Sequence, residues 1–294
     1  MGFNRQEAIG QGSVVTAMEL LKTKLTHRYT APVEAPVVPD MKARPRPRKI
    51  GILGGMGPES TVLLMAKVLE RTPATDDADH IPMIVDNNTQ VPSRIKALIE
   101  ANGEDPGPVL ASMARGLEVA GAEVLAMPCN TAHHYFPAIV NAAKIPLLNM
   151  VELSAERVAA LNGGSYSVGI LGSPAIRITG IYDRAFARRK IKTLYPSDEH
   201  RILAAIRRIK SSSADVQARR TLSDAADELV AAGADVLLVA CSEFSVVADT
   251  IPAKHLVVDS IDILADAIVA FATNEPLGNG AEKTTELVHL RADI

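Results

Sequence analysis

The chain has no tryptophan and few aromatic residues of any kind, five Tyr and five Phe, or 3% of its 294 residues. With so few rings, its 47% hydrophobic content must be carried by Ala, Val, Leu and Ile, which suit helices packed on a parallel sheet. Neither sign of charge dominates: 31 Lys and Arg against 34 Asp and Glu leave −3, so nothing general points to a nucleic-acid partner. No apolar run approaches the roughly 20 residues that span a bilayer, and no signal-peptide core is evident, so no membrane partner is expected. Cysteine occurs twice, at Cys129 and Cys241. Two cysteines are too few for a disulfide framework and read as reduced thiols in a cytoplasmic protein.

Those two cysteines occupy matching places in a repeated phrase. AGAEVLAMPCNT at Ala120 to Thr131 aligns without a gap on AGADVLLVACSE at Ala232 to Glu243. Upstream, KIGILGGMGP from Lys49 is echoed by SVGILGSPAI from Ser167 at a similar interval. The expected fold is therefore α/β with two pseudo-symmetric domains, each a mostly parallel sheet flanked by helices, and an active site in the cleft between them.

The pattern divides the chain into four parts. Residues 1–48 form a basic, proline-rich tail, with Lys42, Arg44, Arg46, Arg48 and Lys49 clustered at its end and a short amphipathic helix at Val14 to Leu25. Residues 49–150 make the first domain, and 151–256 the second. The closing unit 257–274, strand HLVVDS and helix Ile261 to Ala272, is expected to cross back into the first domain, and 275–294 is a frayed tail. Within the domains, strands are expected at Ile50 onward, Ile81 to Asp86, Glu123 to Met127, Val168 to Leu171 and Asp235 to Ala240. Helices are expected at Glu59 to Glu70, from Val91, at Pro106 to Ala120, Ile176 to Ala187, His200 to Lys210 and Val216 to Ala231.

Both cysteines fall at the carboxyl end of an expected parallel strand, the edge at which open α/β sheets form their binding crevices. Two facing halves would present both thiols to one cleft, where one removes a proton and the other returns one from the opposite side. The neighbours Asn130, Thr131, Ser242 and Glu243, with nearby backbone amides, are candidate hydrogen-bond donors and acceptors there. Asn87, Thr89 and Gln90 follow a strand and are candidates to line the same cleft, while Met56 and Gly57 in GGMGP shape it. That glycine loop lacks the Lys-Ser/Thr ending of a P-loop and the spacing of a dinucleotide fingerprint. His133 and His134 adjoin Cys129, but adjacent histidines point apart and no second ligand cluster accompanies them, so no metal is expected.

The motifs GILGGMGPEST, DHIPMIVDNN, GEDPGP, MPCNTAHHYF, IPLLNMVE, TGIYDRA and ACSEF stand in the order found in the aspartate/glutamate racemase superfamily. The chain resembles that family over Lys49 to Asn274, and most closely its aspartate racemase branch. Glutamate racemases typically carry Asp and Ser in the opening loop where GGMGP stands, and a His where this chain has Glu243. The family's second cysteine motif usually reads Cys-Thr-Glu, so Ser242 is a departure.

The resemblance implies an amino-acid racemase that works without pyridoxal phosphate or any other cofactor, interconverting L- and D-aspartate or the enantiomers of a related amino acid such as glutamate. Cys129 would act on the D form and Cys241 on the L form, Arg94 would grip a substrate carboxylate, and Lys210 would bind substrate from the second domain. It also implies a homodimer. The alternatives are a broad-spectrum amino-acid racemase, a related isomerase or decarboxylase using one cysteine, and a non-catalytic ligand-binding protein.

Overall fold

A computed structural model of the chain describes residues 46–161, 167–212 and 215–274, all within the unit Pro45–Ile294. The expected basic tail up to residue 45, its Val14 to Leu25 helix, and the tail from residue 275 lie outside the described residues.

The first lobe begins with β1 (Ile50–Gly54), every residue of which is buried, and α1 (Pro58–Arg71), which starts on a proline suited to a helical first turn. Then come β2 (Met83–Asn87), the short α2 (Arg94–Leu98), α3 (Gly107–Val119) and β3 (Val124–Ala126). A 3-10 turn, Thr131–Tyr135, leads into α4 (Phe136–Val140), and α5 (Met150–Leu161) comes next. The second lobe holds β4 (Ser167–Gly172), α6 (Pro174–Thr179), α7 (Ile181–Ala187), β5 (Lys192–Leu194), α8 (Glu199–Ser211) and α9 (Val216–Ala231). It continues through β6 (Val236–Ala240), α10 (Ser242–Val246), β7 (Val257–Asp259) and α11 (Ser260–Thr273).

All strand pairs are parallel, in the orders β2-β1-β3 and β5-β4-β6-β7. Leu147 bridges Leu125 in parallel and so takes, beside β3, the place that β7 takes beside β6. Two glycines show how closely the halves correspond. A Cβ on Gly51 would lie 2.8 Å from Ala122 Cβ and 3.1 Å from Leu125 Cδ2, and one on Gly169 would lie 3.1 Å from Ala234 Cβ and 2.8 Å from Leu237 Cδ2. Those partners are matching positions of the repeated phrase. Each opening strand therefore lies against its cysteine unit at a distance only glycine permits.

The closing unit divides differently from the expectation that residues 257–274 rejoin the first domain. Strand β7 stays in the second sheet, where Leu237 N donates to Leu256 O at 2.9 Å, and so pairs the edge of β6 that β4 leaves open. The helix after it does cross: α11 packs on α1 and α5, and α5 in turn packs on α7 of the second lobe. One buried cluster consequently spans both lobes, from Ile50 and Ile52 through Val158 and Tyr182 to Leu264 and Ile268. The expected single helix Ile176 to Ala187 is two, broken at Gly180 with φ 62°. The helix from Val91 is confined to Arg94–Leu98, since Pro92 lies ahead of the cap Ser93, whose side chain accepts from Lys96 N.

Candidate active site

The two cysteine strands stop at the same edge of their sheets, and the turn after each strand aims its thiol. Past β3, the chain turns so that Cys129 N donates to Met127 O at 2.8 Å. The carbonyl of Cys129 accepts from Nδ1 of His133 at 2.9 Å, while Met150 N donates to the other ring nitrogen at 3.1 Å. A ring nitrogen that accepts from an amide carries no proton, so the hydrogen sits on Nδ1. Burial pushes the His133 pKa down to about 4, which keeps the ring neutral. Past β6, Cys241 is the residue before α10, and its carbonyl accepts from Ser245 N at 3.0 Å.

Both cysteines are 6% exposed and line one cleft of about 490 Å³. The first lobe contributes Gly55, Met56, Gly57, Thr89, Arg94 and Thr131, and the second Ser173, Ile206, Lys210, Glu243 and Val246. The start of α1 also opens here through Glu59 and Ser60, and its cap Gly57 supplies no side-chain bond, which leaves first-turn amides available to an anion. Gly55 has φ 87°, and a Cβ there would lie 2.3 Å from the backbone of Asn88, so only glycine brings this loop past β2 to the cleft.

The thiols differ in surroundings. Cys241 Sγ donates to Glu243 Oε2 at 3.1 Å, and Glu243 Oε1 pairs with Lys210 Nζ. Burial first, and then the Glu243 carboxylate, push the Cys241 thiol well above its ordinary range, so it rests protonated. Burial would lower the Lys210 ammonium, but the Glu243 charge outweighs it and the pKa is raised. Arg94 is tied to the backbone: Nη1 donates to Pro92 O at 3.0 Å and Val91 O at 3.4 Å, and Nη2 to Met56 O at 3.3 Å. Its Nε is buried without a hydrogen-bond partner among the described residues.

Residues 53–268 match the family model described as Asp/Glu/hydantoin racemase. The chain belongs to the Asp/Glu/hydantoin racemase family. The aspartate racemase of Picrophilus torridus is 31% identical, with a TM-score of 0.69 over 78% of this chain and 96% of that one. The broad specificity amino-acid racemase RacX of Bacillus subtilis is 26% identical over 229 residues, 75% of this chain and 96% of its own length. A glutamate racemase of Francisella tularensis, solved with D-glutamate, shares the fold at 15% identity and a TM-score of 0.54 over 76% of this chain and 81% of that one. A racemase is an isomerase, and this chain is an enzyme of that class.

Among the residues expected at a racemase site, the fold brings Cys129, Cys241, Met56, Gly57, Thr89, Arg94, Thr131, Lys210 and Glu243 to the cleft. Four do not line it. Asn87, at the end of β2, is exposed, and Gln90 bends back so that its N donates to Asn88 Oδ1 at 2.9 Å. Asn130 and Ser242 are each 2% exposed and face away. In both halves the second residue after the cysteine, Thr131 or Glu243, reaches the cleft, and the first turns into the protein. Ser173 also lines the cleft, and its only sequence signal is the internal alignment that places it opposite Gly55, another lining residue. Ile206 and Val246 carried no such signal. Among the described residues no cluster of three or more His, Cys, Asp or Glu is suited to a metal ion, and no helix is long and apolar enough to cross a membrane.

Proposed function

We propose that this enzyme interconverts L- and D-aspartate by direct proton transfer at Cα between Cys129 and Cys241, without a cofactor. The observation that carries this reading is that the two cysteines end equivalent strands of a duplicated fold and line one cleft with Arg94 and Lys210. Arg94 lines the cleft and offers its remaining Nη2 hydrogen to one substrate carboxylate, and Lys210, which spends one hydrogen on Glu243, offers another to the second carboxylate. Negative charge developing on the first carboxylate as the α-proton leaves is met by Arg94 and by the opening turn of α1.

From the D form, the thiolate of Cys129 takes the α-proton, and the Cys241 thiol delivers its own to the opposite face. From the L form the roles reverse: Cys241, its proton released to Glu243 Oε2 at 3.1 Å from Sγ, takes the α-proton as thiolate, and Cys129, protonated from solvent, delivers its own to the opposite face. A broader range of amino acids is the second reading, favoured by the likeness to a broad specificity racemase. A cytoplasmic homodimer is part of the same proposal, on the strength of the family resemblance.

The test is a panel of single enantiomers followed by circular dichroism, repeated with Cys129→Ala and Cys241→Ala. Racemisation of aspartate above other amino acids, abolished in each variant, supports the proposal. Comparable rates across apolar and acidic substrates would support the broad reading, and undiminished turnover in either variant would defeat the two-thiol mechanism.

A further inference from the structure

Tyr182 stands in TGIYDRA, a stretch that takes no part in the proton transfers at Cα. It is fully buried on α7, its ring stacked on Phe186 with centroids 5.8 Å apart. Burial holds its phenol above the ordinary range, so the hydroxyl keeps its proton and donates it to Asn130 Oδ1 at 2.6 Å. Asn130 Nδ2 donates to Ser260 Oγ at 3.0 Å, and Ser260 donates to the Val239 carbonyl at 2.8 Å. The carbonyl at the far end accepts only, which fixes the direction of every bond and the orientation of the Asn130 amide.

The path connects two particular places. Asn130 directly follows Cys129, and Val239 lies two residues before Cys241. Tyr182, Asn130 and Ser260 are each 2% exposed or less, so water does not compete for these bonds. The anchors are α7, the first residue of α11 and strand β6, three elements of the second lobe or crossing from it, and all of them grip the loop that carries the first-lobe thiol. His133 holds the carbonyl of Cys129 from the other side, through its own contact with Met150 at the start of α5.

We propose that Tyr182, Asn130 and Ser260 are positioning residues that set Cys129 against Cys241 across the cleft. The proposal rests on the two-thiol reading, because only a reaction that removes a proton from one face of a carbon and returns one to the other depends on the relative placing of two bases. Tyr182→Phe deletes one hydroxyl and leaves Asn130 Oδ1 without its donor. Ser260→Ala leaves Asn130 Nδ2 without this acceptor and takes one donor from the Val239 carbonyl, yet keeps the cap of α11, since Asp259 Oδ1 still accepts from Ile261 N at 2.8 Å.

The measurement is racemisation and α-deuterium incorporation together, in deuterated water, for wild type, Tyr182→Phe, Ser260→Ala and the double variant. With the thiols misplaced, kcat falls on the order of 10- to 100-fold. KM stays within about threefold, since neither residue lines the cleft. The abstracting thiol then has time to exchange its captured proton for a solvent deuteron and return that to the same face, so deuterium enters unreacted substrate faster relative to inversion than in wild type. The double variant loses no more than the worse single one, because both break one path.

A wild-type ratio of exchange to inversion in folded Tyr182→Phe and Ser260→Ala, or losses that multiply in the double variant, overturns the proposal. Should Tyr182→Phe fail to fold, Ser260→Ala decides alone. Loss of activity in Cys129→Ala and Cys241→Ala with unchanged ratios in the positioning variants refutes only the positioning, whereas turnover in the cysteine variants refutes the two-thiol reading beneath it.

Discussion

Replacing Arg94 by lysine keeps the charge and removes the fork. A guanidinium has five N–H donors. Three are spent on Val91, Pro92 and Met56 carbonyls, which leaves the Nε hydrogen and one on Nη2. Nε is buried and has no partner among the described residues, so the Nη2 hydrogen is the one left to a carboxylate in the cleft. In Arg94→Lys the ammonium has no fork for the Val91, Pro92 and Met56 carbonyls to hold in place, and the charge-assisted bond to substrate that is lost with it amounts to about 1.5–3 kcal/mol, or roughly 10- to 150-fold in KM. The enantiomers have equal free energy, so kcat/KM must fall by one factor in both directions. The assay is initial-rate kinetics from L- and from D-aspartate, with melting temperature as a control on the loop that Arg94 ties to Met56. A KM within about threefold of wild type, with the whole loss in kcat, would show that Arg94 braces the loop and does not hold substrate.

Glu243→Gln removes the carboxylate charge that favours the protonated thiol of Cys241, while Lys210 remains to favour thiolate. With D-aspartate as substrate, the alkaline limb of the pH–rate profile, where Cys241 loses its proton, should therefore move to lower pH; a fixed limb would exclude Glu243 from control of that thiol. His133 has a folded pKa of about 4 against an ordinary 6.5, so the unfolded chain binds more protons between these values and stability is lost as pH falls through the window. From pH 8 to pH 5 the loss is about 2 kcal/mol, read from urea unfolding as the difference between wild type and His133→Gln. The variant comparison is required because Asp259, raised to about 6 by burial, acts in the opposite sense over the same range in both proteins. An equal pH dependence in the two would contradict a neutral, structurally engaged His133.

The duplicated phrase was legible because strand, tight turn and cysteine recur together, and it located both thiols and the lobes that carry them. It could not convey which neighbour faces substrate. Asn130 and Ser242 are as polar as Thr131 and Glu243, but Asn130 has helical φ/ψ of −56° and −51°, and Ser242 is the first residue of α10, so in each half the next side chain is the one that turns to the cleft. Strand β5 leaves little trace in the sequence because it is three residues long, carries an exposed lysine and pairs on one side only. Helix α5 is hidden by IPLLNMVE, an apolar run in which strand-like pairing at Leu147 passes into helix within a few residues; Asn149, whose Oδ1 accepts from Val151 and Glu152, marks the change. The crossing of α5 and α11 between lobes leaves no local signal, since either lobe offers an apolar face to the same buried stripe.

Most directly decisive is the fate of the α-hydrogen at early times when wild-type enzyme turns over L-aspartate in deuterated water. Two opposed thiols predict D-aspartate that carries deuterium at Cα from the first turnovers, while the unreacted L-aspartate keeps its hydrogen, with the mirror result from the D side. Deuterium appearing in the remaining L-aspartate as fast as in the product would mean that one base serves both faces, and would contradict the mechanism built on Cys129 and Cys241.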